Sequence, residues 1–380
     1  PIVAGMGGNA ATQTLTVIVR GIALGELTWS NSRKALFKEA AVGLGNGIAC
    51  GLVGALVVWM FSHDRMLAGI LAMGGTGGTS VATTAMRALP VGVPKLMLST
   101  IGGGDVSAFS GAKDITFMPS IVDVAGINRI SRAIYANAAG AIAGMVKVQE
   151  SAATRSTSSD EKPLITASMF GNTTTAVNHA RELLEAEGYE VLVFHATGAG
   201  GRTMESLITD GYITGSLDMT TTELADYVCN GVFNAGPERC LGASRVGIPA
   251  VLVPGCVDMA NFGSIDSVPE QYRGRNLYQW NPNVTLLRTN VEENRKMGEM
   301  LAAAANAATA PVAILIPLRG VSMLDSEGGR FWDPEADKAC YDAIKQNLRP
   351  DIPVYELNNN INDPEFSGAV TKTLLEMLAK

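Results

Sequence analysis

Residues 190–208 read EVLVFHATGAGGRTMESLI: a β-branched apolar run, a glycine-rich turn, and an amphipathic helix with its own first turn. That succession is the unit of a parallel α/β sheet, because a strand buried on both faces reads as a continuous apolar run and its crossover reads as a helix. The same unit recurs on either side. Upstream, Leu164–Met169 is an expected strand, FGNTTT at 170–175 a turn, and Ala176–Glu187 a helix. Downstream, Ser216–Met219 is expected as a short strand, followed by a helix over TTTELADYVCNGVF in which the threonine run caps and Glu223 completes a capping box. Ala250–Val253, Val312–Ile316 and Val354–Glu356 supply further buried strands. Alternation of this kind predicts a doubly wound, Rossmann-like parallel sheet over residues 163–380, with ligands at the carboxyl ends of its strands; it leaves strand order open.

A second α/β domain, over residues 71–150, shows the same texture. MLAGILAM (66–73) leads into GGTGGTS (74–80) and the helical VATTAMRAL (81–89). The apolar run Lys95–Ser99 ends in TIGGGD (100–105), and an alanine-rich helix is expected from about Val122 to Val148. The polar run Gln149–Lys162, QESAATRSTSSDEK, reads as a linker, placed at 151–162 between the domains.

Upstream of about Gly74 the chemistry changes. Ala40–Ser62, AAVGLGNGIACGLVGALVVWMFS, carries no charged side chain. At about 1.5 Å per residue it is long enough to cross a hydrocarbon layer of roughly 30 Å. Gly43, Gly47, Gly51 and Gly54 suit close helix packing in lipid. Arg33, Lys34 and Lys38 on its N-terminal side place that side in the cytoplasm. A buried glycine-rich helix of a globular domain is the alternative reading.

With 380 residues, 47% hydrophobic and 17% charged, the chain is long enough for two or three domains with real cores. A net charge of −7 argues against a nucleic-acid backbone as partner. Cys50, Cys229, Cys240, Cys256 and Cys340 show no C-x-x-C spacing, and His63, His179 and His195 form no paired ligand motif. No disulfide framework and no metal site is expected, and a reducing, cytoplasmic setting fits residues 71–380. Membrane association enters only through residues 40–62.

Two glycine turns carry the chemistry. In Gly74-Gly75-Thr76-Gly77-Gly78-Thr79-Ser80 the missing Cβ atoms let amide groups converge at a helix N-terminus, and the hydroxyls add donors, which suits a phosphate or carboxylate. Thr197-Gly198-Ala199-Gly200-Gly201-Arg202-Thr203 has the same placement plus a cation. Neither matches G-x-x-x-x-G-K-[ST] or G-x-G-x-x-G, and a tight turn without a ligand is the plain alternative for both. Asp105, Asp218, Asp258 and Arg319-Gly320 stand at other strand ends. His195, beside the second turn, is of the residue type whose near-neutral reference pKa suits proton transfer, and Cys256 at a strand end can serve as a nucleophile, with Asp258 next to it. The three are weak catalytic candidates for a hydrolase or acyl-transfer reading. A hydrogen-bonded histidine and an inert buried thiol are the alternatives.

Two resemblances follow from longer stretches. GMGGNAATQ, TVIVRGIALGEL and KEAAVGLGNGIACGLVGALVVW, within about residues 1–70, resemble the transmembrane domain of the MgtE magnesium transporters, which implies a helical membrane fragment of a dimeric pore. The chain lacks that family's regulatory region and its later helices, so transport by this chain alone is not expected. Over about residues 71–380, GGTGGTSVATTAMRALPVGVPKLMLST, DITFMPSIVDVAGINRISRAIYANAAGAIAGM, EVLVFHATGAGGRTMESLI, PGCVDMANFG and IPLRGVSMLDSEGGRFWDPEAD resemble the Tm-1-like ATP-binding (UPF0261) family. That resemblance implies two α/β domains, the first lacking its opening strand-helix portion here, and binding of ATP or a related nucleotide, with Mg²⁺. A chimera of two families joined near Gly74, assembling as a homo-oligomer, is the combined expectation.

Overall fold

Val312-Ala-Ile-Leu-Ile-Pro317 is buried at every position, and its alternate side chains enter two different cores. Val312, Ile314 and Ile316 join one hydrophobic cluster while Ala313 and Leu315 join another, the pleat of a strand covered on both faces. The computed structural model describes residues 68–124, 126–155 and 162–379. The chain divides into two units, Pro1–Ser159 and Asp160–Lys380.

In the first unit, β1 (Ile70–Gly74), β2 (Lys95–Ser99) and β3 (Thr116–Pro119) form a parallel sheet in the order β1-β2-β3. Along β2, Met97 packs with Ala82 and Met86 of α1 (Thr76–Arg87). Leu96 and Leu98 pack on the other side, with Ala138 of α3 (Arg129–Arg155). Between β2 and β3 lies the short α2 (Ser107–Ser110). Lys95 is buried, and its ammonium is satisfied by the carbonyls of Pro90 and Val93 and, at 2.7 Å, by the Asp114 carboxylate.

The long helix departs from expectation at both ends. It starts at Arg129 rather than near Val122, because the Asn128 side chain accepts the amides of Ile130 and Ser131 as an N-cap. It then continues through Arg155, so residues 149–155 are helical rather than linker. Gln149, Glu150, Ala152, Ala153 and Arg155 are good helix formers, and propensity outweighs the run's polar texture.

The second unit opens with β4 (Leu164–Met169), a single 3₁₀ turn at Gly171–Thr173, α4 (Thr174–Ala186), β5 (Glu190–His195), α5 (Ala199–Thr209), β6 (Ile213–Asp218) and α6 (Thr222–Cys229). Then come α7 (Gly242–Val246), β7 (Ala250–Leu252), β8 (Met259–Phe262), β9 (Leu277–Asn281), β10 (Val284–Arg288), α8 (Val291–Asn306), β11 (Val312–Pro317), α9 (Pro334–Asn347), β12 (Val354–Leu357) and α10 (Pro364–Leu378). Six strands pair in parallel in the order β12-β11-β7-β6-β4-β5. Helices α4 and α10 cover one face through Val177, Leu184, Phe366 and Leu374. Helices α5, α6, α8 and α9 cover the other through Met204, Leu224, Leu301 and Ile344. The order reverses at β4, which lies between β5 and β6, so the switch point where such sheets place ligands falls between the loops after β4 and β6.

The parallel sheet does not account for the whole unit. An antiparallel sheet, β8-β10-β9, follows the turn after β7. Its signal was present in LYQWNPNVTLLR, two alternating runs around an Asn-Pro-Asn turn.

Among the described residues no helix is long and apolar enough to cross a membrane. The Ala40–Ser62 span and the rest of the MgtE-like stretch up to residue 67 lie outside the described residues.

Candidate functional site

The turn after β5 is an anion cradle that holds an anion of its own. Gly198 adopts φ +77°, and its amide donates to Glu223 Oε1 at 2.6 Å; the amide of Gly201 reaches the same oxygen at 3.1 Å. A Cβ on Gly201 would stand 2.1 Å from Glu223 Oε2, and one on Gly200 would stand 1.9 Å from the carbonyl oxygen of His195. Glycine is therefore needed here for close approach of carboxylate and backbone within the protein. The side chains of the turn also serve it: Thr197 and Thr203 hydroxyls donate to the carbonyls of His195 and Ala199, and Arg202 donates to the Asn234 carbonyl at 2.9 Å. Glu223 does not close a capping box at α6, whose N-cap Thr221 makes no side-chain cap bond.

Behind this turn lies a buried ion network centred on Arg239, which is 3% exposed. Its Nε donates to Glu223 Oε2, its two terminal nitrogens fork onto Asp218, with Nη2 2.7 Å from Oδ1, and Nη1 is 3.2 Å from Glu205 Oε1. Glu205 in turn accepts the amides of Cys240 and Gly242. Burial holds the Glu205 carboxyl above its usual range, against the pull of Arg239 and with a push from Asp218. Ser168 on β4 donates to Asp218 at the end of β6, so this network reaches the β4/β6 pair where the switch point lies.

The turn after β1 is built differently. Helix α1 begins at Thr76 with N-cap Gly75, without a side-chain cap and without an acidic residue in its first turn. Thr76, Gly77 and Ser80 are exposed, and no atom lies within 4 Å of the position a Gly77 Cβ would take. Thr79 is buried and shares a 2.7 Å hydrogen bond with Ser99 at the end of β2, which tethers the helix to the neighbouring strand. Next to it the exposed Gly103-Gly104-Asp105 turn leaves β2, Asp105 accepting the amide of Ser107. Among the described residues no side chain accepts an amide of the first helical turn, part of which is exposed.

The catalytic candidates stand apart. Cys256 is fully buried with φ +56°, and burial, reinforced by the Asp258 charge, holds its thiol well above the ordinary range. His195 is exposed and meets Phe170 edge-on at 5.3 Å between ring centroids. Asp258 accepts from Ser322 at 2.8 Å and is pushed up to about 7 by burial and by Asp325. Among the described residues no hydrogen bond joins His195 to Cys256 or Asp258. Arg319 is exposed, 3.4 Å from Glu327. No group of three or more histidine, cysteine or acidic residues that can hold a metal ion occurs among the described residues.

Comparison with known sequences bears on these turns. A family model described as the C-terminal domain of uncharacterised protein family UPF0261 matches residues 162–378, and its N-terminal counterpart matches residues 48–151. The chain belongs to the UPF0261 family. Among UPF0261 relatives, a protein of Clostridium tetani is 51% identical over 327 residues, covering 86% of this chain and 80% of its own length. One from Mesorhizobium japonicum is 43% identical over 341 residues, covering 89% and 84%. The tomato (Solanum lycopersicum) ToMV susceptible protein tm-1(GCR26) is 40% identical over 321 residues; these cover 83% of this chain but 42% of the tomato protein. The Tm-1-like resemblance therefore holds at the level of the family. The UPF0261 match begins at residue 48, inside the stretch that reads as membrane-type, and the MgtE resemblance of residues 1–70 has no support from these comparisons.

Sequence reading of this UPF0261 chain missed Arg239, Glu205, Arg288, Asp325 and Asp337. Glu205 and Asp337 are on helices, Arg239 and Asp325 in irregular segments and Arg288 at the end of β10, positions where periodicity says only that a charged residue faces solvent. Burial of the charge, visible only in three dimensions, is what distinguishes Arg239, Arg288, Asp325 and Asp337, and Glu205 is distinguished by its ion pair with Arg239.

Proposed function

We propose that the chain binds a phosphorylated small molecule, ATP or a related nucleotide as its Mg²⁺ complex, at the Gly74–Ser80 turn. The observation that carries this reading is the contrast between the two glycine turns: one spends its amides on Glu223, whereas the other leaves the first turn of α1, part of which is exposed, without a side-chain cap. Helix amides and the positive end of the helix dipole attract phosphate, and the exposed Thr76 and Ser80 hydroxyls add donors. Among the described residues no neighbouring atom requires glycine at 77, which leaves its space for a ligand's approach. Mg²⁺ would arrive on the nucleotide phosphates.

The test is calorimetry of the full chain with Mg-ATP. Wild type is expected to give saturable heat, Gly77→Val to weaken binding by at least about tenfold, equivalent to about 1.4 kcal/mol, and Arg202→Ala to bind as wild type. Absence of heat from folded wild type overturns the proposal, and loss on Arg202→Ala alone moves the ligand to the second turn.

A further inference from the structure

The second unit buries three carboxylates around one guanidinium. Asp258 and Asp325 are 0% exposed, Asp337 3% and Arg288 5%. Arg288 Nη2 donates to Asp337 Oδ1 at 2.6 Å and lies 3.7 Å from Asp325 Oδ1; its Nε goes to the Phe331 carbonyl, and it also reaches the Asp333 carbonyl. Asp258 Oδ2 accepts from Ser322, but its Oδ1 is buried without a partner. Asp325 Oδ2 accepts the Val321 amide. Asp325 Oδ1 is likewise buried without a hydrogen-bond partner among the described residues. Fully ionised, the cluster would place three negative charges against one positive charge away from water, a costly arrangement. Arg288 already occupies the cation position, so the compensation the geometry admits is a proton.

What these groups hold is the segment 318–332 between β11 and α9. Asn360 Nδ2 reaches the carbonyls of Arg319, Ser322 and Asp325. Met323 donates its amide to the Asn172 carbonyl after β4, and Val321 accepts the amide of Cys256 after β7. The segment thus spans loops at the carboxyl edge of the six-stranded sheet, carrying exposed Leu318 and Met323. We propose that a proton shared among Asp258, Asp325 and Asp337 latches segment 318–332 onto this edge, and that loss of the proton releases it.

The electrostatics run the same way. Burial, then the neighbouring carboxylate, pushes Asp258 up to about 7; burial and Asp325 push Asp337 up to about 8; burial raises Asp325 as well. The other titratable groups facing them are Cys256 from the turn after β7 and Cys340 and Tyr341 from α9, all raised by burial and therefore neutral, and Arg288 from β10, which stays charged. Asp258 and Asp337 are the groups of this cluster that change charge near neutrality. Because their folded values lie above the unfolded value, the latch is secure in acid and weakens as pH rises through about 7 to 8.

Hydrogen exchange of the full chain between about pH 6 and about pH 8.5, corrected for intrinsic chemistry, tests this. Peptides over 318–332 are expected to open about tenfold more per pH unit up to about pH 7 to 8, the increment for release of one proton, and to level off above it, while those from α4 and α10 stay unchanged. Asp258→Asn, whose amide supplies a hydrogen atom without titrating, is expected to flatten the response. Trypsin cleavage after Arg319 and Arg330 in wild type gives an independent readout should that variant not fold. Equal corrected protection of 318–332 at both pH values, or an increase spread uniformly over the chain, overturns the latch.

Discussion

The Glu223 carboxylate lies 2.6 Å from the Gly198 amide, placing a charged side chain of α6 in the nest at the start of α5. Its other oxygen takes the Arg239 guanidinium, so the turn is locked from behind by a buried ion pair. Removing the Glu223 charge leaves Arg239 paired with Asp218 and Glu205 but weakens the charge-assisted hydrogen bonds to the Gly198 and Gly201 amides, worth about 1.5–3 kcal/mol each. Glu223→Gln, which keeps the side chain's shape, is expected to destabilise by a few kcal/mol of this order in urea unfolding. Because the first turn is separate, Mg-ATP calorimetry on the folded fraction is expected to stay unchanged. A loss within about 0.5 kcal/mol, the range of an ordinary surface change, would remove the lock.

The two glycine turns differ in what an added methyl group meets. At Gly77 it meets nothing within 4 Å, at a helical position, so Gly77→Ala is expected to be neutral or to stabilise by about 0.5–1 kcal/mol. At Gly200 it meets the His195 carbonyl oxygen at 1.9 Å, so Gly200→Ala must force strand and helix apart. Its melting temperature is expected to drop by several degrees, since about 1 kcal/mol shifts a domain of this size by about 2–4 °C. Equal melting temperatures for the two variants would show that neither turn is held as described.

Much of the architecture was legible. LITASM, EVLVFH and VAILIP are unbroken or nearly unbroken apolar runs flanked by turns, and each is a strand within a residue or so of its expected ends. β6 was harder: it begins at Ile213, but Thr214 and Gly215 interrupt the apolar run, and only pairing with β4 makes them a strand. The second glycine turn was legible as a cradle, yet that it receives an internal carboxylate depends on a residue more than twenty positions away. Glu223 looked like a capping residue because local spacing allowed it; the fold assigns it to Gly198, Gly201 and Arg239 instead. A long-range ion pair leaves no periodic trace in a single sequence.

Cysteine reactivity separates the buried thiol from the nucleophile. Cys229, Cys240, Cys256 and Cys340 are free and buried, and burial raises each thiol, Cys229 to about 12. The thiolate is the reactive form. Native protein at about pH 8 is therefore expected to leave all four unlabelled by iodoacetamide, with full labelling only in denaturant. Rapid native alkylation of Cys256, blocked by a small-molecule substrate, would restore the hydrolase or acyl-transfer reading with His195 and Asp258.

Asp226 gives a stability dependence outside the aspartate–arginine cluster. It is fully buried, accepts the amides of Phe233 and Asn261 and the Asn261 side chain, and is nevertheless pushed up to about 7, burial outweighing those bonds and Glu223 adding to it. The folded value lies above the unfolded one near 3.8, so between those pH values the folded chain holds a proton that the unfolded chain has released. Stability from this group is complete below the unfolded value and is lost as pH rises through about 7. Urea unfolding of wild type at about pH 5, 6.5 and 8 is expected to show a falling midpoint at nearly constant slope. To isolate Asp226 from the three aspartates near Arg288, the same series on Asp258→Asn should retain a decline, smaller than in wild type. A midpoint that rises with pH in both proteins would mean that Asp226 is ionised in the folded state.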